Sequence, residues 1–154
     1  MRTRREIRVA PDHFEVAADD ALLTAELRSA IAVCLYDAVE EAGALLHLRF
    51  VVRSGKPADV TDTTLATELL LLDRCLEALR EAMPGARSLQ ARIVAQLPDD
   101  LHVEKAVGSV LPLVSLFLRD AGVTAASPDI AVGAARRLEF WPVMGRVLIH
   151  EMAT

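Results

Sequence analysis

Aromatic side chains are scarce in this chain, with four Phe, one Tyr and one Trp among 154 residues, and basic residues are outnumbered, 17 against 22 acidic. The first shortage leaves few platforms for stacking bases. The second leaves no basic stripe for a phosphate backbone, so nucleic acid is excluded as an expected partner. No window reaches about 18 uninterrupted apolar residues, which predicts no membrane insertion, and Arg2, Arg4 and Arg5 are not followed by the apolar core of a signal peptide. The expected location is therefore cytoplasmic. Cysteine is nearly absent too: Cys34 and Cys75 fit a reducing compartment and read as small buried hydrophobes rather than a disulfide framework. The histidines at 13, 47, 102 and 150 are scattered, with no i, i+4 pair, so no metal site is predicted and no cofactor is implied.

What the chain has is apolar bulk. At 53% hydrophobic it can fill one core, and its length predicts a single domain over residues 1–154. Short strands are predicted at Glu6 to Val9, Phe14 to Val16 and Leu22 to Leu27. Leucines at 65, 69, 72, 76 and 79 mark a helix from Thr63 to Met83, capped by Asp62 and stopped by Pro84 and Gly85. The Leu69 to Leu72 run within it reads as core plus one leucine at the solvent edge, or as part of a partner surface if that leucine joins a larger patch. Leu89 to Leu97 reads as a buried strand. A second helix is predicted from Ser109 to Asp120, with Ser109 as N-cap and Pro112 in the first turn, where proline is tolerated. Strands at Ile130 to Val132, Arg137 to Trp141 and Arg146 to His150 complete an α+β sandwich of mostly antiparallel strands with two main helices.

The most informative segment is Leu23 to Val52. Residues 28 to 36 are short, apolar and β-branched, Asp37 to Ala42 is polar enough to turn, and Gly43 onward is apolar again, which predicts an antiparallel hairpin. A turn centred near residues 38 and 39 sets Ala30 opposite His47, with Cβ atoms roughly 5 Å apart. In that register Cys34 faces Gly43, and four residues at about 3.3 Å each place it roughly 13 Å from the imidazole.

The run Leu27-Arg28-Ser29-Ala30-Ile31-Ala32-Val33-Cys34-Leu35-Tyr36-Asp37, followed by Gly43-Ala44-Leu45-Leu46-His47, resembles the segment reading roughly L-G-S-C-V-A-V-C-L-Y-D, then G-G-x-x-H, of the CheD family of chemoreceptor glutamine deamidases. Near the C-terminus, Asp129 to Phe140, then Gly145 to Ile149, is similar without gaps to that family's D-V-G-G-T-S-G-R-x-V-x-F, then G-x-V-x-V. The resemblance covers nearly the whole chain and implies the fold of those deamidases, with the first cysteine of the run as nucleophile. Here Ala30 stands at that position. His47 and Thr24 keep their family positions. Ala131, Val132 and Ala135 replace family glycines, Arg92 to Leu97 resembles a K-L-F-G-G-A run without its glycines, Val110 stands where the family has asparagine, and His47-Leu48-Arg49-Phe50-Val51 lacks the proline of H-x-M-L-P.

Thioester hydrolysis of a glutamine amide needs a thiolate, oxyanion donors and an acid for the departing ammonia. Alanine supplies no thiolate, and losing the nucleophile of such a pair costs on the order of 10⁴ to 10⁶ in turnover. The resemblance thus implies a degenerate site of His47, Thr24 and Ala30 in a CheD-like protein that is catalytically inactive or impaired. The resemblance further implies that it retains binding towards a chemoreceptor segment or a CheC-like phosphatase. Two other readings stand beside this one: an active deamidase, if Cys34 substitutes or Ala30 is engineered, and a scaffold outside chemotaxis. Read as bare residues, His47 is equally a buried histidine satisfied by a backbone carbonyl, and Thr24 a strand-forming threonine.

Overall fold

The computed structural model describes residues 5–37, 39–49, 63–85 and 88–152; the side chains of 63–66 and 106 lie outside the description. The strands are β1 (Glu6–Arg8), β2 (His13–Ala17), β3 (Leu22–Leu27), β4 (Ala30–Asp37), β5 (Ala42–Arg49), β6 (Gln90–Leu97), β7 (Thr124–Ala125), β8 (Asp129–Val132), β9 (Arg136–Trp141) and β10 (Arg146–Glu151). Two helices, α1 (Thr63–Ala82) and α2 (Leu101–Asp120), separate β5 from β6 and β6 from β7. One sheet runs β1-β3-β9-β10 and the other β2-β5-β4-β6-β7, with β8 also paired to β6. The pairings β1–β3, β6–β7 and β6–β8 are parallel and the others antiparallel.

The second sheet is the middle layer, and its strands are apolar on both faces for that reason. Ala30, Ala32, Cys34, Leu45 and Val94 pack against Leu23, Ala25, Leu27, Leu138 and Phe140 of the first sheet. The alternate residues Ile31, Val33, Leu35, Leu46, Leu48 and Ile93 meet both helices. Continuous apolar runs, rather than alternation, are what a strand covered on both sides requires. The α+β reading with two main helices therefore holds, and the layers are sheet, sheet, helices.

In α1 the leucine stripe behaves as its spacing predicts: Leu72, Leu76 and Leu79 are fully buried while Leu70 is half exposed. The predicted Asp62 cap lies outside the described residues. For α2 the sequence reading placed the start too late. The helix begins at Leu101, and Asp100 caps it by accepting from the His102 and Val103 amides. Pro112 is consequently interior, and Ser109 is no cap, since its hydroxyl bonds back to Lys105 O. The stripe of Val103, Val107, Val110, Leu111, Val114 and Leu118, all buried, outweighs the missing Pro112 N–H. By length and composition α2 alone among the described helices could cross a membrane, and here that stripe packs on the middle sheet.

One buried carboxyl on α1 gives the fold a pH dependence. Glu68 is buried, and its Oε1 has no hydrogen-bond partner among the described residues. Burial first, and the Asp12 charge second, push its pKa up to about 7. Between the ordinary value of 4.5 and about 7 the folded protein holds a proton that the unfolded chain releases, so stability falls as pH rises through that window and levels off above it. Glu68→Gln is expected to abolish this slope and to stabilise the protein at pH 8 by about 1–3 kcal/mol. Urea unfolding at pH 5 and pH 8 measures it; an unchanged slope in the variant would show that Glu68 is not the group responsible.

Candidate functional site

The chain passes from the first sheet to the second at Arg28 and Ser29, between β3 and β4, and Ser29 takes a left-handed backbone with φ +54°. The turn is held by Gln96 on β6, which pairs with Ala30 across the sheet. Its Oε1 accepts from the Ser29 amide at 2.6 Å, and its Nε2 donates to Leu97 O at 3.0 Å and Gly133 O at 2.7 Å. Gln96 is buried and its carboxamide serves both as acceptor and as donor, so one side chain joins the turn, β6 and the β8–β9 loop. Its position is one of the family glycines by resemblance. Val132, which stands at another of those glycine positions by resemblance, is 47% exposed.

His47 lies on β5 opposite Ala32 of β4 and His13 of β2. The predicted register is therefore corrected by two residues: Ala30 pairs with Arg49, and Cys34 with Leu45. The cause is Asp37, whose Oδ1 accepts from the Val39 and Glu40 amides, so that the hairpin closes with Asp37 opposite Ala42. Because strand side chains alternate with period two, a slip of two leaves Ala30, Cys34 and His47 on one face. Ala30 and Cys34 become the two diagonal neighbours of His47, at Cα separations of about 7–8 Å, and the 13 Å argument against Cys34 lapses.

Burial replaces that argument. Cys34 is fully buried among Ala32, Leu45 and Phe140, and desolvation pushes its thiol up to about 12, only partly opposed by Arg92. It is a thiol, not a thiolate, at neutral pH. Cys75 is pushed up to about 12 by the same cause. Both are expected to resist a thiol reagent such as Ellman's in the native protein and to react fully in denaturant; rapid native labelling of Cys34 would contradict this placement.

The His47 ring is itself buried, with Nδ1 3.0 Å from Val9 O. A carbonyl only accepts, so Nδ1 carries hydrogen and the neutral ring keeps its lone pair on Nε2. Burial lowers the pKa of His47, with Arg49 and Arg8 adding to the fall and the Val9 carbonyl and Asp12 opposing it. Asp12 also holds this corner together: its amide donates to His47 O, and its Oδ1 accepts from the Arg49 amide. His47 forms part of the wall of a cavity of about 210 Å³ together with Arg8, Glu26, Arg28 and Arg49. Thr24 is not in that wall. It alternates with Leu23 and Ala25, which face the second sheet, and pairs with Arg8 and Glu139. Sequence reasoning missed Gln96 and the arginines. The signal for Gln96 was a lone amide in an otherwise apolar end of a strand, Ile93-Val94-Ala95-Gln96-Leu97.

No family model matches the chain. Among curated proteins it is similar to the probable chemoreceptor glutamine deamidase CheD of Bordetella avium, 22% identical over 97% of this chain and 67% of that one. The protein of the same name from Cupriavidus metallidurans is 24% identical over 97% and 69%. That from Rhizobium leguminosarum bv. trifolii is 25% identical over 92% and 77%. The chain is a divergent CheD-like protein. In this CheD-like chain the position matched to the nucleophile by resemblance carries a methyl group, fully buried, beside an amide already bonded to Gln96.

Proposed function

We propose that this CheD-like protein binds a chemoreceptor segment in the cytoplasm, or a CheC-like phosphatase, without deamidating what it binds. The observation that carries the reading is the environment of Ala30. No nucleophile is present there, the nearest thiol on that face is buried and protonated, and the Ser29 amide is bonded to the Gln96 carboxamide instead of being open to an oxyanion. His47 keeps a lone pair on Nε2 but has no thiol to deprotonate.

The test is incubation of the purified protein with a glutamine-bearing cytoplasmic fragment of a chemoreceptor from the same cell. The expected result is measurable binding with no amide-to-acid mass change in the fragment. Conversion that is lost in His47→Ala would overturn the inactive reading and return the chain to the deamidases. Absence of binding to both the fragment and the phosphatase would favour the scaffold reading instead.

A further inference from the structure

We propose that the His47 cavity is a carboxylate site, selecting a glutamate side chain over a glutamine one; this deepens the receptor-binding reading and rests on it for the identity of the macromolecule. Deamidation turns a glutamine into a glutamate, so a site of this kind would make the protein a reader of the modified receptor rather than its modifier.

Charge placement carries the inference. The chain as a whole is acidic, with a formal charge of −5, yet the wall of this cavity holds Arg8, Arg28 and Arg49 against the single carboxylate of Glu26. Glu26 is engaged by Arg8 at 3.0 Å. No carboxylate lies within ion-pairing distance of the Arg28 or Arg49 side chains among the described residues. These guanidiniums come from separate places in the fold, Arg28 from the β3–β4 turn and Arg49 from the end of β5, and both face one cavity. At about 210 Å³ the cavity suits one acidic head group with a little solvent and not a whole peptide.

The floor of the site is the second observation. His47 is 2% exposed, and with Nδ1 committed to Val9 O, Nε2 is the ring nitrogen left for a ligand. Neutral Nε2 accepts, and by itself it would suit an amide N–H. The arginines decide otherwise, because a guanidinium offers a carboxylate paired charge-assisted bonds and offers an amide only its oxygen. His47 meets a carboxylate by taking up a proton. Burial first, and then Arg8, Arg28 and Arg49, oppose that uptake, while the Val9 carbonyl, Asp12, Glu26 and the incoming carboxylate favour it, so a carboxylate held against His47 carries a proton with it and an imidazole signal reports it.

The test uses the full chain and two probes, N-acetyl-glutamate N-methylamide and its glutamine counterpart, titrated at low salt while the His47 ring proton is followed by NMR. The glutamate probe is expected to bind about tenfold more tightly and to shift the imidazole signal towards its protonated value. Arg28→Gln with Arg49→Gln should reduce its affinity to that of the glutamine probe without moving the urea midpoint. Equal or tighter binding of the glutamine probe, indifference to the double substitution, or displacement by an equal concentration of chloride would each overturn the proposal. A receptor fragment prepared in both forms separates the two readings. If the fragment binds more tightly as glutamine, the carboxylate site fails while receptor binding stands. If the capped glutamate binds and neither fragment form does, the site stands and the receptor reading fails.

Discussion

Asp37→Ala is expected to lower the unfolding free energy by about 3 kcal/mol, one of the largest losses available from a single polar side chain in this protein. The carboxylate sits at the end of β4, 1% exposed, and accepts three backbone donors: Oδ1 takes the Val39 and Glu40 amides, and Oδ2 takes the Ser88 amide just before β6. Truncation leaves these amides without that acceptor in a part-buried setting, at about 1 kcal/mol or more each. The same side chain sets where the β4–β5 hairpin turns, and hence which residue faces His47. Urea denaturation measures the effect, and a loss below about 1 kcal/mol would show that the turn does not depend on Asp37. Asp37→Asn keeps one acceptor oxygen and should fall between the two.

Gln96→Ala should cost about 2–4 kcal/mol, because it strands the Ser29 amide and the Gly133 carbonyl, Leu97 O keeping the Gly133 amide, and leaves a cavity between the sheets. Gln96→Glu is the sharper variant. It preserves the acceptor for the Ser29 amide but sets carboxylate oxygen against Leu97 O and Gly133 O, the carbonyls to which Nε2 now donates. It should therefore be no better tolerated than alanine. A second readout ties this residue to the site. A thiol introduced by Ala30→Cys is expected to be alkylated slowly, since position 30 is fully buried, and at least about tenfold faster once Gln96→Ala is added and the protein remains folded. Equal rates with and without Gln96 would remove it from the list of residues that close the site.

How much of this could be read from the chain depends on the range of the interactions. The α1 stripe was legible because i, i+3 and i+4 neighbours meet on one helix face whatever lies beyond it. The α2 start was not, because Pro112 and Ser109 are strong local signals for a helix beginning and outcompete the Asp100 cap on paper, whereas packing of the apolar stripe on the middle sheet carries the helix from its start at Leu101, just after that cap, through Pro112. The hairpin was legible as a hairpin, but its register turned on a side-chain bond from Asp37 to its own loop, worth less in pattern than in energy. Parity along the strands survived that error, which is why Ala30 and His47 still share a face.

From the sequence alone came the resemblance to CheD, the α+β class and the alanine that this resemblance sets at the nucleophile position, since each is a matter of which residues occur in which order along a strand or helix. Only the tertiary structure decided that Cys34 is silent through desolvation instead of distance, that Gln96 bonds the Ser29 turn to the β8–β9 loop, and that Arg8, Arg28 and Arg49 gather around His47. Those outcomes depend on groups distant in sequence, such as Ser29 and Gln96, 67 residues apart, or Val9 and His47, 38 apart, being brought together by the packed strands. Contact between such groups follows from layer packing, which no local periodicity records.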